Sequence, residues 1–288
     1  MRFVNATSTG ARLVRASAGP DRTVAAVVAR ATFGIDGERL VYTPERPWPA
    51  GPEAVETPWG TFAPDTPFPK DGIDVFVLGS AWQPGGLPST ELTLAIHVGV
   101  SLERRIAVIG DRTWVRRNGA LAPGEPHQFV SMPLVWENAY GGRDAGNPLG
   151  KGFYASEAEA SGQPLPNLED PGARIRAFAD RPEPVATAPC PQRGGRSALV
   201  IERARVPLAG AAVEVTHASP HGTLRFALPD FRMHVQVGER LLPLALDEIA
   251  VFTEPRRVYL AYRAEFEYAG EGPEAELQMG APPHATIG

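Results

Sequence analysis

The stretch from Ala145 to Phe153, AGNPLGKGF, is the nearest approach in this chain to a phosphate-binding loop. In such a loop, backbone amides and a lysine hold the phosphates, and a serine or threonine after the lysine ligates magnesium. Here the first glycine is displaced by one position, and Gly152 stands where the hydroxyl group is needed. No helix is predicted to begin there and offer its amides to a phosphate. The stretch therefore does not predict nucleotide binding.

Histidine and cysteine residues give no stronger signal for chemistry. His217 and His221 have the spacing of zinc ligands on one helical turn, but Pro220 would break that turn. Cys190 has no base nearby in the sequence that would activate a catalytic thiol. We therefore predict two turn histidines in solvent, a loop cysteine, and no bound metal or cofactor.

Paired carboxylates would allow glycoside hydrolysis. The candidate pairs are Glu137 with Asp144, and Glu91 with Glu103. Any chain of this size offers such pairs, and the G-x-S-x-G and G-x-G-x-x-G motifs are both absent from the sequence. A carbohydrate- or peptide-active enzyme that acts on the cell wall stays open only as an alternative.

The elements that would position these residues have the two-residue period of β-strands. Along 257–268, apolar or aromatic residues alternate with charged ones, as a half-buried strand requires. Other predicted strands are 2–7, 11–16, 22–33, 38–43, 73–81, 91–98, 102–109, 113–117, 197–207, 212–217, 222–228, 231–238 and 241–246. Helical signals are confined to 154–161 and 167–179. We predict a mainly β fold, an antiparallel β-sandwich or twisted multi-sheet domain, with long Pro/Gly-rich loops and at most one or two short helices.

Eight prolines between residues 44 and 70 exclude a central strand there, because proline donates no ladder hydrogen bond. We predict an extended arm that lies across the sheet. Its aromatic anchors would be Trp48, Trp59, Phe62 and Phe68, with Trp59 and Phe62 partly buried.

The 288 residues suit one mainly β domain, or two strand-rich halves, about 1–150 and 197–288, joined by an irregular segment 151–196. A single cysteine excludes intramolecular disulfides, and the net charge of −5 argues against nucleic acid or an anionic membrane as partner. The sequence has no run of 18 apolar residues, and its start lacks the pattern of a signal peptide. We therefore expect a cytoplasmic protein.

The most unusual segment is 127–153, where an aromatic, strand-like run enters a glycine-rich loop. Such glycine density indicates positive φ angles or close backbone approach. One interpretation is a bulged hairpin turn. The functional interpretation is a partner-binding loop on a rigid sheet. Its candidate contact residues are Trp136, Tyr140, Gly141, Gly142, Arg143, Asn147, Lys151 and Phe153.

This segment also carries a family resemblance. Residues 132–142, MPLVWENAYGG, and 147–153, NPLGKGF, resemble the MPL-x-x-E-x-A-[FY]-GG…NP-x-G-[RK]-GF signature of domain-of-unknown-function family 2169. Similar agreement runs from about residue 1 to 268, most clearly in 69–81, PKDGIDVFVLGSA, in 105–114, RIAVIGDRTW, in 165–171, LPNLEDP, and in the closing strand pair 246–266. The chain departs from the family between 171 and 197, where a longer insert is usual.

The resemblance implies a cytoplasmic accessory of type VI secretion. Such a protein is a non-enzymatic adaptor or chaperone that binds an effector protein and helps to load it onto the VgrG/PAAR spike. A structural accessory component of the secretion apparatus is a further alternative.

Overall fold

Strand dominates the computed structural model, which describes residues 1–44, 53–143, 145–202 and 208–279. Strand accounts for 52% and helix for 5% of the structure, so the predicted mainly β fold is confirmed. The strands of the described residues, in chain order, are β1 (Phe3–Asn5), β2 (Gly10–Gly19), β3 (Arg22–Asp36), β4 (Arg39–Tyr42), β5 (Val55–Thr57), β6 (Gly60–Phe62), β7 (Gly72–Leu78), β8 (Ser80–Trp82), β9 (Glu91–Val98), β10 (Leu102–Ile109), β11 (Trp114–Arg117), β12 (Ala120–Pro123), β13 (Ser131–Pro133), β14 (Tyr140–Gly142), β15 (Lys151–Phe153), β16 (Leu168–Glu169), β17 (Leu199–Glu202), β18 (Ala212–Thr216), β19 (Leu224–Ala227), β20 (Met233–Val237), β21 (Arg240–Pro243), β22 (Ala245–Phe252), β23 (Arg257–Tyr268) and β24 (Ala275–Met279).

Helices are short and few in the described ranges. They are one α-helix, α1 (Glu157–Ala160), and 3-10 turns at Pro84–Gly86, Trp136–Asn138 and Pro191–Arg193. The helix predicted within 167–179 is wrong. There the carboxylate of Asp180 accepts the backbone amides of Arg176 and Ala177 at 2.8 and 2.9 Å, which favours a turn over a helix.

Three larger sheets organise the chain. The seven-stranded sheet has the order β17-β7-β22-β23-β3-β2, with β4 also paired to β3. The five-stranded sheet has the order β16-β10-β9-β18-β19, and the four-stranded sheet the order β1-β24-β20-β21. Most pairs are antiparallel, but β1 with β24, β7 with β22, and β14 with β15 are parallel. Because β7 lies between β17 and β22, the two strand-rich parts of the chain share one sheet.

The two faces of the seven-stranded sheet differ in chemistry. Cross-strand neighbours share a face, so Ala31 of β3 and Leu260 of β23 face one large apolar core. Arg30 is one residue from Ala31, and Arg263 is three residues from Leu260. Both arginines therefore point to the opposite face, and both are buried. The prediction that β23 is half-buried is therefore wrong at Arg263, because a loop covers this second face.

The covering loop is the proline-rich arm. In its described part, 53–70, the arm contributes no strand to the larger sheets, and β5 and β6 form a separate short hairpin within it. Two aromatic side chains of the arm pack on the sheet as predicted. Trp59 packs edge-on against Phe252, and Phe62 is buried against Phe76. Phe68 is 53% exposed, so it is not an anchor. Trp48 lies outside the described residues.

Candidate functional site

The glycine-rich loop is folded around one buried side chain, Asn147. Its Nδ2 amide donates to the carbonyl oxygens of Trp136 and Tyr140, at 2.7 and 3.3 Å. The backbone carbonyl oxygen of Asn147 accepts the backbone amides of Gly142 and Gly150, at 2.8 and 3.1 Å. These bonds satisfy backbone groups that the ladder between β14 and β15 does not reach. The frame of the loop is therefore fixed from inside.

Two glycines are required by this frame. A Cβ atom on Gly141 would lie 2.0 Å from the carbonyl oxygen of Asn147. Gly152 has a φ of +105°, and a Cβ atom there would lie 2.7 Å from Cδ of Pro166. The close approach that the glycine density predicted is therefore made within the chain itself.

The predicted contact residues differ in accessibility. Trp136 and Tyr140 are buried, at 3% and 4% exposure, and the Trp136 Nε1 group donates to the carbonyl oxygen of Ala188 at 2.9 Å. Gly141 is also buried, while Gly142, Lys151 and Phe153 are half-buried. Arg143 is exposed. Leu149, which the sequence did not single out, is 47% exposed. Whether the loop binds a partner stays a prediction.

Three sequence-distant motifs meet behind this loop at Asn167. Its Nδ2 amide donates to the carbonyl oxygen of Ile109 at 2.9 Å and to Oδ1 of Asp111 at 3.0 Å. Its backbone amide donates to the carbonyl oxygen of Asn138 at 2.8 Å. The side chain of Asn138 in turn accepts from Nζ of Lys151 at 3.3 Å. The segments 105–114, 132–153 and 165–171 thus form one hydrogen-bonded unit.

Burial lowers the pKa of Lys151 below its usual value, and the charge of Asp111 only partly opposes this. A lysine with a depressed pKa suits proton transfer or covalent chemistry where a cleft admits a substrate. Here Nζ already donates to Asn138, which gives the ammonium group a structural partner.

A chain of ion pairs runs along one side of this unit. Buried Arg112 pairs with Glu169, whose other oxygen accepts from Nε of Arg174 at 2.9 Å. Arg174 then forms two hydrogen bonds with Glu91, at 2.8 and 3.0 Å. The bonds to Arg174 hold the pKa of Glu91 below its usual range, although partial burial opposes them.

The carboxylate pair Glu91 and Glu103 is not brought together. In the ladder between β9 and β10, Glu91 lies opposite Ile109, six residues along the strand from Glu103. At 3.4 Å per residue the two are about 20 Å apart, whereas glycosidases place their carboxylates about 5 to 9.5 Å apart. Glu137 is exposed in a 3-10 turn, and its predicted partner Asp144 lies outside the described residues.

The histidines and the cysteine have different surroundings. His217 is half-buried rather than in solvent, and its Nδ1 atom lies 2.8 Å from the carbonyl oxygen of Thr93. His221 is exposed. Cys190 is a buried loop residue. Within the described ranges no three His, Cys, Asp or Glu side chains are grouped as metal ligands, and none of the helices has the length and apolar character that a membrane crossing requires.

A second candidate site is a charged cleft of about 220 Å³ between the arm and the seven-stranded sheet. Across it, Arg30 of β3 donates two hydrogen bonds to Asp65 of the arm, at 2.9 and 2.6 Å. Arg263 of β23 donates to the backbone carbonyl oxygens of Thr66 and Phe68. The arm is therefore held at this point by arginines of the sheet.

Lys70 lines the cleft and lies among three carboxylates. Its Nζ atom lies 2.9 Å from Asp74, 3.3 Å from Glu248 and 3.4 Å from Asp247. Burial by itself lowers the pKa of Lys70, but these three charges outweigh it and hold the pKa above its usual value. Asp247 also accepts from Nε of Arg263 at 3.1 Å. The cleft is a network of opposite charges that nearly balance.

Sequence reasoning missed this cleft, although a signal was present. Arg30 and Asp74 each interrupt an otherwise apolar run, in VVARA and IDVFV. Charged residues are almost never fully buried unless they are paired. Such interruptions indicate that partners lie opposite, but the pairing of strands decides which ones.

The chain matches the model of a bacterial protein family over residues 20–200, more than half of its length. The match contains the segments that meet at Asn167 but not the closing strand pair β22 and β23, for which the sequence resemblance goes further. Neither the curated proteins nor the solved structures contain a match to the chain. The chain therefore belongs to the family described as uncharacterized protein conserved in bacteria (DUF2169).

Proposed function

We propose that this protein is a non-enzymatic adaptor or chaperone that binds a type VI secretion effector and helps to load it onto the VgrG/PAAR spike. The proposal rests on the resemblance of its motifs to family members that accompany type VI secretion. It includes a cytoplasmic location and no requirement for a cofactor, nucleic acid or membrane.

The observation that carries the proposal is the contrast between the buried and the exposed residues of the glycine-rich loop. Asn147 and Trp136 hold the frame from inside, while Arg143 and Leu149 project outward. A binding surface gains from such rigidity, because less conformational entropy is lost when a partner docks. Arginine is enriched among the residues that dominate interfaces, and an exposed apolar neighbour adds buried area.

Co-expression with the neighbouring effector gene tests the proposal. The wild-type protein should raise the soluble yield of the effector and co-purify with it, because a binder stabilises the state that it recognises. The double variant Arg143→Ala/Leu149→Ala should lower the affinity at least tenfold, which is about 1.4 kcal/mol. Its melting temperature should stay within a few degrees of wild type.

A matched control is Arg240→Ala/Leu241→Ala, which removes an exposed arginine and an exposed leucine from β21. This control should bind like wild type. Failure of the wild-type protein to co-purify would contradict the adaptor function. Full binding by the Arg143/Leu149 variant would show that the effector contacts another part of the protein.

The enzyme alternative is tested by turnover. Purified protein should hydrolyse neither peptidoglycan, glycosides, nucleotides nor esters. Glu137 is the accessible carboxylate of the predicted loop pair, so hydrolysis that disappears in Glu137→Gln would favour a cell-wall enzyme instead.

A further inference from the structure

Strand β2 differs from the other edge strands of the three larger sheets in length. Among the edges that do not adjoin undescribed residues, β4, β16, β19, β1 and β21 are two to four residues long. Strand β2, at one edge of the seven-stranded sheet, is ten residues long. Natural proteins shorten or interrupt edge strands, because free backbone groups there pair with other chains. A long edge is therefore a site for strand addition.

The backbone of β2 is regular enough to accept another strand. From Gly10 to Ser17 it follows β3 in unbroken antiparallel register, and an irregularity comes only between Ser17 and Gly19. The strand contains no proline. In the part of the chain that the structure describes, no backbone hydrogen bond reaches β2 from the side opposite β3. That side presents unused donors and acceptors.

Two arginines give this edge a positive charge. Arg12 and Arg15 lie on opposite faces of β2, because three residues separate them and side chains alternate. Neither forms an ion pair with another described residue, and the Nη1 atom of Arg12 is buried without a hydrogen-bond partner. Ala11 and Leu13 pack partly against the apolar core. A neighbouring strand would thus meet one cation on each face.

We propose that β2 takes up an extended acidic segment of a partner protein as an additional strand along residues 11–17. This inference rests on the proposed function, since the segment would belong to the bound cargo. Main-chain hydrogen bonds would give affinity, and glutamate or aspartate opposite Arg12 and Arg15 would give specificity. A second copy of this chain fits less well. Two-fold pairing centred on Leu13 or Val14 puts an apolar residue opposite each arginine, so neither charge gains a partner.

A peptide experiment tests the edge without the effector. A nine-residue peptide that alternates threonine and glutamate, and its threonine–lysine counterpart, are titrated into the full chain while amide hydrogen exchange is followed. The acidic peptide should slow exchange within 11–17 and bind at least tenfold more tightly than the basic one. Arg12→Glu/Arg15→Glu should reverse this preference. If that double variant does not fold, exposed Arg15→Glu alone should reduce it.

The control is Arg240→Glu, which makes the same charge change as Arg15→Glu on the exposed edge strand β21. It should leave the preference unchanged. No slowing of exchange in β2 with either peptide would overturn the inference. Concentration-dependent protection of 11–17 with dimer formation would also overturn it, and would identify a second copy as the occupant.

The co-purified complex separates this inference from the proposed function. Slower exchange in β2 within the effector complex, lost in Arg15→Glu, would support strand addition. An effector that co-purifies while β2 exchanges as in the free protein would leave the adaptor function standing and reject the edge as its contact. An effector that does not bind at all rejects the adaptor function, and the peptide result then decides on the edge alone.

Discussion

Asp65 of the arm and Arg30 of β3 form a bidentate ion pair, with side chains that are 5% and 10% exposed. The pair joins a proline-rich loop to the middle of a buried strand. Removing one partner of a buried pair leaves the other charge without compensation, which costs more than the pair contributes. Asp65 is therefore expected to contribute strongly to the stability of the arm on the sheet.

Asp65→Ala should lower the free energy of unfolding by about 3–5 kcal/mol, because it leaves the Arg30 charge buried and unpaired. Hydrogen exchange should also become faster across 53–70. Urea unfolding measures the first effect, and exchange mass spectrometry measures the second. Glu214→Ala removes the exposed pair with Arg225 and should leave stability unchanged within error. An Asp65→Ala protein as stable as wild type would show that the hydrogen bonds of Arg263 and the aromatic contacts hold the arm without this pair.

Asn147→Ala should lower the free energy of unfolding by about 1–3 kcal/mol, because the carbonyl oxygen of Trp136 would lose a buried donor. Tryptophan fluorescence follows the loss, since Trp136 packs beside the loop. Leu149→Ala is the neighbouring control, and it should be nearly neutral because the side chain is 47% exposed. Equal stability of the two variants would mean that the frame does not depend on Asn147.

The sequence predicts those parts of the fold that local pattern controls. The alternation along 257–268 places β23 and its apolar face correctly, and the prolines of 44–70 indicate an arm. The sequence pattern fails where contacts between distant segments decide whether a residue is buried. The alternation predicts that Arg263 faces solvent, but the arm covers it. The parallel ladder of β14 and β15 was missed because each strand has only three residues and the connection folds around Asn147.

The candidate site was predictable as a location but not as an arrangement. Glycine density and family motifs both indicated the segment 127–153. Composition does not reveal that Tyr140 turns inward while Arg143 turns outward. The charged cleft required knowledge of which strands are neighbours, since Asp74 and Glu248 meet only through the pairing of β7 with β22.

Acid should weaken the link between β9 and the loop at 174. The pKa of Glu91 in the folded protein lies below its usual value near 4.5, chiefly because Arg174 donates hydrogen bonds to it. A depressed carboxylate pKa contributes stability above the unfolded-state pKa and loses it as the pH falls through the folded-state pKa. The stability difference between wild type and Glu91→Gln should therefore be full at pH 7 and shrink below about pH 4.

Unfolding curves of both proteins from pH 7 to pH 3 measure this difference. Glu103→Gln serves as the control, because its carboxylate is exposed in a pair with Arg105. A difference for Glu91→Gln that stays constant over the whole range would show that the ionised form of Glu91 has no special partner.

The last prediction separates the structural and the binding parts of the glycine-rich loop. Tyr140 is 4% exposed and belongs to a small apolar cluster with Trp114 and Leu165, whereas Arg143 is exposed. Tyr140→Ala should lower the free energy of unfolding by about 3–5 kcal/mol, as for other large aromatic residues truncated in a core. Arg143→Ala should leave it within about 0.5 kcal/mol of wild type. Under conditions in which each variant is fully folded, Arg143→Ala should weaken binding to the effector more than Tyr140→Ala does. Tyr140→Phe, which keeps the ring, should match wild type in binding. An Arg143→Ala protein that loses stability as Tyr140→Ala does would make the whole loop structural and remove it as a contact surface.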